Sequence, residues 1–254
     1  MYNLHKVDEY FNKVVELLEK IKSTEKENME KAADAMVQAI LQNRLIHIFG
    51  TGGHSDLGAR EMFWRAGGLV PINAILDPGI SLEHGARRAT SVERTPGYAQ
   101  AVLKQYPLEK GDVIIVTNPW GINSVTIDAA MEAKRLGLTV VANTSPGFSK
   151  AVPPDHPARH PSKRNLCDIA DIVIDNHMPF TDAVVEIEGL DQKVSPVSTI
   201  LTAFILNSIV ALVAEKLMKK GFTPPVWMSG NIPGGDERNR EYFEKYRGKI
   251  KHLW

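Results

Sequence analysis

The sequence predicts an α/β fold of three layers, with a five-stranded parallel sheet covered by helices on both faces. Three observations carry that expectation. Apolar runs of strand length alternate along the chain with stretches of helical periodicity. The first run ends in a glycine-rich turn that leads straight into a helix, within Leu45 to Gly68, LIHIFGTGGHSDLGAREMFWRAGG. A later run, DVIIVTN, also ends in a turn and a helix start, so two helix N-termini fall on the same edge of the sheet.

Taken in order, Leu4 to Asn43 reads as helix. Val14, Leu17, Leu18 and Ile21 form one apolar stripe, and Ala32, Ala35, Met36, Ala39 and Ile40 form another. The Lys/Glu-rich stretch between them is solvated, with a break near Ser23. Ile46, Ile48 and Phe49 belong to the first strand, and Val70 to Leu76 is the second. Residues 77–97, DPGISLEHGARRATSVERTPG, read as an irregular polar loop, followed by a short helix from Tyr98 to Gln105. The third strand is Asp112 to Asn118, broken by Pro119, Trp120 and Gly121. A helix from Ser124 to Leu136 follows, then strands at Leu138 to Ala142 and Ile172 to Asp175. Pro153 to Ser162 is too rich in proline for a helix interior or a central strand. Val197 to Met218 is an apolar helix, and a charged helix begins near Asp236. The expected organisation is one domain over residues 1–254, with a helical extension to about 43 and a loop–helix tail from about 221.

The turn after the first strand is the expected centre of function. Gly50, Gly52 and Gly53 allow positive φ and close approach of a ligand. His54, Ser55 and Asp56 are placed to cap the next helix. A helix start at the carboxyl end of a buried strand attracts anions, because free N–H groups and the helix dipole act together. Gly50, Gly52 and Ser55 give G-x-G-x-x-S, so the dinucleotide fingerprint lacks its third glycine. No Lys lies between Arg44 and Lys104, which excludes a P-loop. In the loop after the third strand, Asn118, Asn123 and Ser124 offer further hydrogen-bonding groups, and Asn123 or Ser124 is an N-cap.

Composition narrows the classes. The chain has 254 residues, 30 basic and 30 acidic, and zero formal charge, which leaves no electrostatic footprint for nucleic acid. Cys167 is the single cysteine, so neither a disulfide framework nor a thiolate metal cluster is expected. The opening MYNLHKVDEYF has no signal-peptide core, which gives a cytoplasmic expectation. Val194 to Ala214 carries no charge and has the length of a membrane span. It also holds Ser195, Ser198, Thr199, Thr202, Asn207 and Ser208, so it reads as a helix buried in a core or a subunit interface. That helix and the N-terminal one exceed what one small sheet should cover, and a homo-oligomer, at least a dimer, is expected.

GTGGHS after the first strand, and DVIIVTNPWGINSVTIDAAMEAKRLGLTVVANTS further on, carry a resemblance. The chain resembles the SIS (sugar isomerase) domain family, from its N-terminal helix to about Met218, and in particular the stand-alone branch of phosphosugar isomerases. The resemblance implies a flavodoxin-like sheet and a sugar phosphate held by the loop after the third strand. With Gly121 on the family glycine, Asn118 and Trp120 stand where serines are usual, and Asn123 sits at the Ser/Thr position with Ser124 one step beyond. Asn can still donate to phosphate. Trp120 offers a flat face that stacks on a sugar or packs under the loop. The paired carboxylates of the phosphoheptose isomerase pattern are reduced to Glu61, and no histidine lies between Val194 and Lys251, so that mechanism does not transfer intact.

Aldose–ketose isomerisation needs a base near the reacting carbon and a second group to shuttle protons between oxygens. Glu61 in the first crest helix and Glu93 in the long loop are the candidate bases, with Arg94 beside Glu93 to hold an anion. His54, His84 and His160 are the histidines of the crest loops, and His160 is the candidate for acid–base work. His156 and His160 flank prolines and make no helical metal pair, so no metal and no cofactor are expected. The expected function is an aldose–ketose isomerase acting on a sugar phosphate. The competing readings are a lyase or etherase acting on an amino-sugar phosphate, and a non-catalytic sugar-phosphate sensor. The short neutral N-terminus has no basic recognition helix, which counts against a DNA-binding regulator.

Overall fold

The computed structural model describes residues 5–254, so Leu4 of the expected first helix lies outside the described residues. The chain runs α1 (His5–Thr24), α2 (Lys26–Leu41), β1 (Ile46–Gly50), α3 (Asp56–Met62), β2 (Ile72–Ile75), α4 (Ala86–Glu93), α5 (Tyr98–Leu103), β3 (Val113–Thr117) and α6 (Ser124–Leu136). It continues with β4 (Thr139–Thr144), α7 (Pro146–Ala151), β5 (Ile172–Asp175), β6 (Ala183–Val185), β7 (Val194–Pro196), α8 (Ser198–Lys219) and α9 (Gly235–Tyr246). The five long strands form one parallel sheet in the order β2-β1-β3-β4-β5. This is the flavodoxin-like order, and the direction of winding reverses between β1 and β3.

Strand alternation decides which residue enters which layer. Ile46, Ile48, Val113, Ile115 and Ile72 pack with α2, α3 and α8 on one face. Phe49, Ile114, Val116, Val140 and Ala142 pack with α5 and α6 on the other. The break between α1 and α2 falls at Glu25, whose carboxylate accepts from Asn28 Nδ2 at 2.9 Å and from the Asp175 amide at 3.1 Å. Helix α6 ends at Gly137, which takes the left-handed conformation (φ 81°) of a C-terminal cap.

Helix α8 accounts for the uncharged stretch of the sequence. Leu201, Ile205, Leu206, Ile209, Val213 and Leu217 are fully buried along it, packed with residues of α2 and the sheet. Each such side chain contributes about 1.5–3 kcal/mol of burial. It is long and apolar enough to cross a membrane by composition, and here it is a core helix.

One expectation is corrected, and three elements appear that the sequence did not mark. Residues 77–97 are not an irregular loop: a 3-10 turn at Leu82–His84 is followed by α4, in which Ala86 and Ala89 favour helix and Ala89 is buried. Residues 144–165 hold the short helix α7, started by Ser145, whose Oγ accepts the Phe148 amide at 3.4 Å. Strands β6 and β7 form an antiparallel pair ahead of α8; each has three residues, too few to show a period.

One glycine of the first turn is required by a close approach. A Cβ on Gly50 would lie 2.0 Å from the main-chain oxygen of Ser55. Gly50→Ala is therefore expected to cost at least about 3 kcal/mol, because backbone rather than a pliable side chain must move. The shift in urea midpoint at constant m-value measures it.

Candidate functional site

The site is built where the sheet reverses, at the carboxyl ends of β1 and β3. Two threads join the loops that leave those strands. Asn118 Nδ2 donates to Thr51 O at 3.0 Å, and the hydroxyls of Thr51 and Thr126 meet at 2.7 Å. Asn118 Oδ1 accepts the amides of Trp120 and Gly121 at 3.0 and 3.1 Å, which shapes the second loop. Gly121 sits at φ 61°, and a Cβ there would lie 2.4 Å from Thr144 Oγ1. Asn118 is thus a scaffold residue, with one amide hydrogen left over from these bonds.

In the first loop the chain doubles back so tightly that Gly52, Gly53, His54 and Ser55 find no acceptor for their amides among the described residues. Ser55 occupies the N-cap of α3 but makes no side-chain cap bond, because its backbone is already helical. Unpaired N–H groups ahead of a helix favour negative charge nearby. Asn123 caps α6 by position only, and its amide donates to Ala158 O at 3.1 Å instead. Ser124, in the first turn of α6, is buried beneath this loop.

Glu93 stands over this turn. A Cβ on Gly52 would be 2.8 Å from Glu93 Oε2, 3.3 Å from Asn118 Nδ2 and 3.5 Å from Ser55 Oγ, so these atoms converge on one point. Glu93 makes no hydrogen bond or ion pair among the described residues. Burial pushes its carboxyl up to about 7, against the opposing charge of Arg94. A carboxylate with a pKa near neutrality is suited to proton transfer, and this one stands over the turn, outside the lining of the cleft that begins at Ser55.

From Ser55 a cleft of about 420 Å³ runs along α3 towards the start of α8. His54, Ser55, Gly58, Glu61 and Arg65 line one side, Ser198, Thr199 and Thr202 the other, and Trp120 closes one end. The start of α8 is held by Asp182, whose Oδ1 accepts the Val197 and Ser198 amides at 3.1 and 2.8 Å.

The structure brings Glu93, Ser55, Gly52 and Asn118 together and separates other expected residues from them. Glu61 lines the cleft but is tied to Arg65 at 2.9 Å and to Asn207 at 2.9 Å, so it is a wall residue. His54 is exposed at the rim, and Arg94 is exposed beside Glu93. Gly53 gives way to the Leu82 side chain, 2.4 Å from where its Cβ would be. His160 does not line the cleft. Its Nδ1 accepts the Ser162 amide at 3.0 Å, which leaves the proton on Nε2, facing Asp128 Oδ1 at 3.2 Å. Asp128 also accepts the Gly97 amide at 2.7 Å, so this pair holds the 94–97 turn and the 153–162 loop against α6. Among the described residues no group of His, Cys, Asp and Glu is arranged to hold a metal ion. Sequence reasoning missed Arg65, Asp182 and Thr202. Asp182 and Thr202 reach the cleft through tertiary packing from distant segments, Arg65 follows shortly after α3, and no local motif marks any of them.

Residues 9–145 match the family described as the SIS domain. The chain belongs to the SIS domain family. It is 39% identical over 250 residues to a UPF0309 protein of Caldanaerobacter subterraneus subsp. tengcongensis, covering 97% of this chain and all of that one. It is 40% identical to a UPF0309 protein of Thermoanaerobacter pseudethanolicus, covering 96% and 99% of the two chains. Among solved structures, phosphoheptose isomerase from Neisseria gonorrhoeae superimposes with a TM-score of 0.55 at 15% identity, over 83% of this chain and 98% of that one. A phosphoheptose isomerase from Francisella tularensis gives 0.54 at 18% identity, over 85% and 100%. At these identities the structures establish the SIS fold: a parallel α/β sheet with helices on both faces.

The position of Glu93 has a thermodynamic signature. Its folded pKa is raised above the unfolded value, so the native state holds the proton through the window from about 4.5 to about 7 while the unfolded state releases it. Stability therefore falls as pH rises through that window. Glu93→Gln is expected to raise the melting temperature at pH 8 and to leave it unchanged at pH 4, as measured by calorimetry across pH.

Proposed function

We propose that this SIS protein binds a sugar phosphate across the β1/β3 switch and isomerises it between aldose and ketose. The observation that supports this most directly is the unpaired Glu93 carboxylate, held near neutrality above Gly52 and Ser55. In this reading the phosphate rests on the orphan amides of Gly52 to Ser55 and on Ser55 Oγ, with the start of α6 behind them. The sugar extends into the cleft along Gly58 and Glu61. Glu93 stands at the phosphate end, so the open-chain sugar must fold back over the turn for Glu93 to take the proton from C2 and return it to C1. The charge that develops on the enediol oxygens faces Arg94, and His54 at the rim moves protons between them.

The test is a panel of aldose and ketose phosphates incubated with the protein in D2O and followed by NMR. The expected result is solvent exchange at C2 with appearance of the ketose. Glu93→Gln should lower the rate by about 10²–10⁴-fold while keeping the thermal shift induced by the ligand. Release of a substituent with deuterium incorporation would identify a lyase or etherase instead. Tight binding without exchange, equal in wild type and Glu93→Gln, would leave a sensor.

We further propose that the chain self-associates. Val7 and Phe11 on α1 are each 64% exposed, and α8 exposes Ile200 beside them in the fold, where Tyr10 Oη donates to Pro196 O at 2.9 Å. Apolar side chains set along one face this way suit a subunit interface. Sedimentation at micromolar concentration should give a dimer or larger, with Phe11→Asp weakening it. A clean 28.1 kDa monomer would exclude it.

A further inference from the structure

Beside the cleft lies a second groove of about 180 Å³, and Arg65 lines both. Its walls are Trp64, Trp227 and the turn Met228 to Asn231. Trp64 is 49% exposed and sits at φ 50°, a left-handed conformation that a bulky residue adopts only when its surroundings hold it there. Those surroundings come from the C-terminal region. The buried Trp227 ring meets Trp64 edge-on, with centroids 4.6 Å apart, and Phe243 lies 5.0 Å away. The turn is fixed in its own right. The Asn239 amide donates to Met228 O at 2.8 Å, and its Oδ1 accepts the Met228 amide at 3.0 Å. The result is a half-exposed aromatic ring, braced from behind and carried at a backbone conformation that a glycine would take without cost.

The distances bear on what could reach it. Ser55 to Met62 is about 10 Å along the helix axis, and the extended step through Phe63 adds about 3 Å. A phosphate at Ser55 and one sugar ring over Gly58 and Glu61 stop short of Trp64. We propose that Trp64 and the Met228–Asn231 turn form a second sugar subsite, so that the substrate is a reducing disaccharide phosphorylated on its reducing-end ring. The apolar face of the second ring stacks on Trp64. Its hydroxyls meet Arg65, Ser229 and Asn231. This rests on the phosphosugar reading of the main cleft and specifies its substrate class.

The test compares glucose 6-phosphate with lactose phosphorylated on its glucose ring, by titration calorimetry. Wild type is expected to bind the disaccharide phosphate about tenfold more tightly, the scale of one aromatic contact. Trp64→Ala should abolish that preference and leave affinity for glucose 6-phosphate unchanged. Trp64→Phe should keep part of it. Trp64→Gly, which suits the positive φ, guards against loss of folding, and its melting temperature reports on that directly. If wild type binds the monosaccharide phosphate without preferring the disaccharide, or if Trp64→Ala retains the preference, the subsite is wrong while the main cleft stands. If neither phosphosugar binds, the reading of the main cleft fails and takes the subsite with it.

Discussion

The close approach of two crest loops at the β1/β3 reversal is the constraint on which the rest of the site depends. Gly50 lets the chain fold back onto Ser55, and no side chain larger than hydrogen fits there. Asn118 and Thr126 then bind the folded-back loop to the loop and helix after β3. Two consequences follow from this geometry. The amides of Gly52 to Ser55 are left without acceptors among the described residues, and the bare backbone of Gly52 lets Glu93 pack against it. Both are costs in a folded chain, since an unpaired polar group is unfavourable wherever water is excluded.

Glu93 belongs to the same logic. Helix α4 sets this carboxylate over the turn, where burial disfavours its charge and only Arg94 opposes that effect. The contrast with Glu61 is instructive. Both carboxylates lie near the crest, yet Glu61 is answered by Arg65 and Asn207 and is fixed in place, whereas Glu93 is answered by no bonded partner among the described residues. The difference in pairing is what separates the two environments, and the proton-transfer role of Glu93 is the reading proposed above. His160 resembles Glu61 in being engaged, with Asp128 and the Ser162 amide at its two ring nitrogens.

The C-terminal region does more than cover the sheet edge. Trp227, Tyr246 and Ile250 form a small core of their own with Leu45 and Val70. Lys251 N donates to Asn73 Oδ1 at 3.1 Å, and Tyr106 meets His252 Nε2 at 2.8 Å, so the last residues are tied to the β2 edge of the sheet. This anchoring sets Trp227 and Phe243 behind Trp64 and so shapes the far end of the cleft.

Much of the fold was legible in the sequence, because period and punctuation are local. The five parallel strands, the start of α6 at Ser124 and the core character of α8 all follow from runs of apolar residues bounded by Gly, Pro and Asn. GTGGHS and its position after a buried strand located the crest. Other features were not legible. Helix α4 hides in a polar stretch, since one buried alanine, Ala89, makes no period, and β6 and β7 are too short to show one. The sequence offered Glu61 as the first candidate base and Glu93 as the second. Only the tertiary structure separated them, because a pKa depends on what surrounds the group in space, and Asn207 lies far along the chain from Glu61. Asn118 and Asn123 looked like ligand donors from their residue type, and packing assigned their amides to Thr51 and Ala158. The chain by itself determined the five parallel strands and most of the helices. The folded structure decided which polar groups are already satisfied and which remain to act, because hydrogen-bond partners are settled only when distant segments meet.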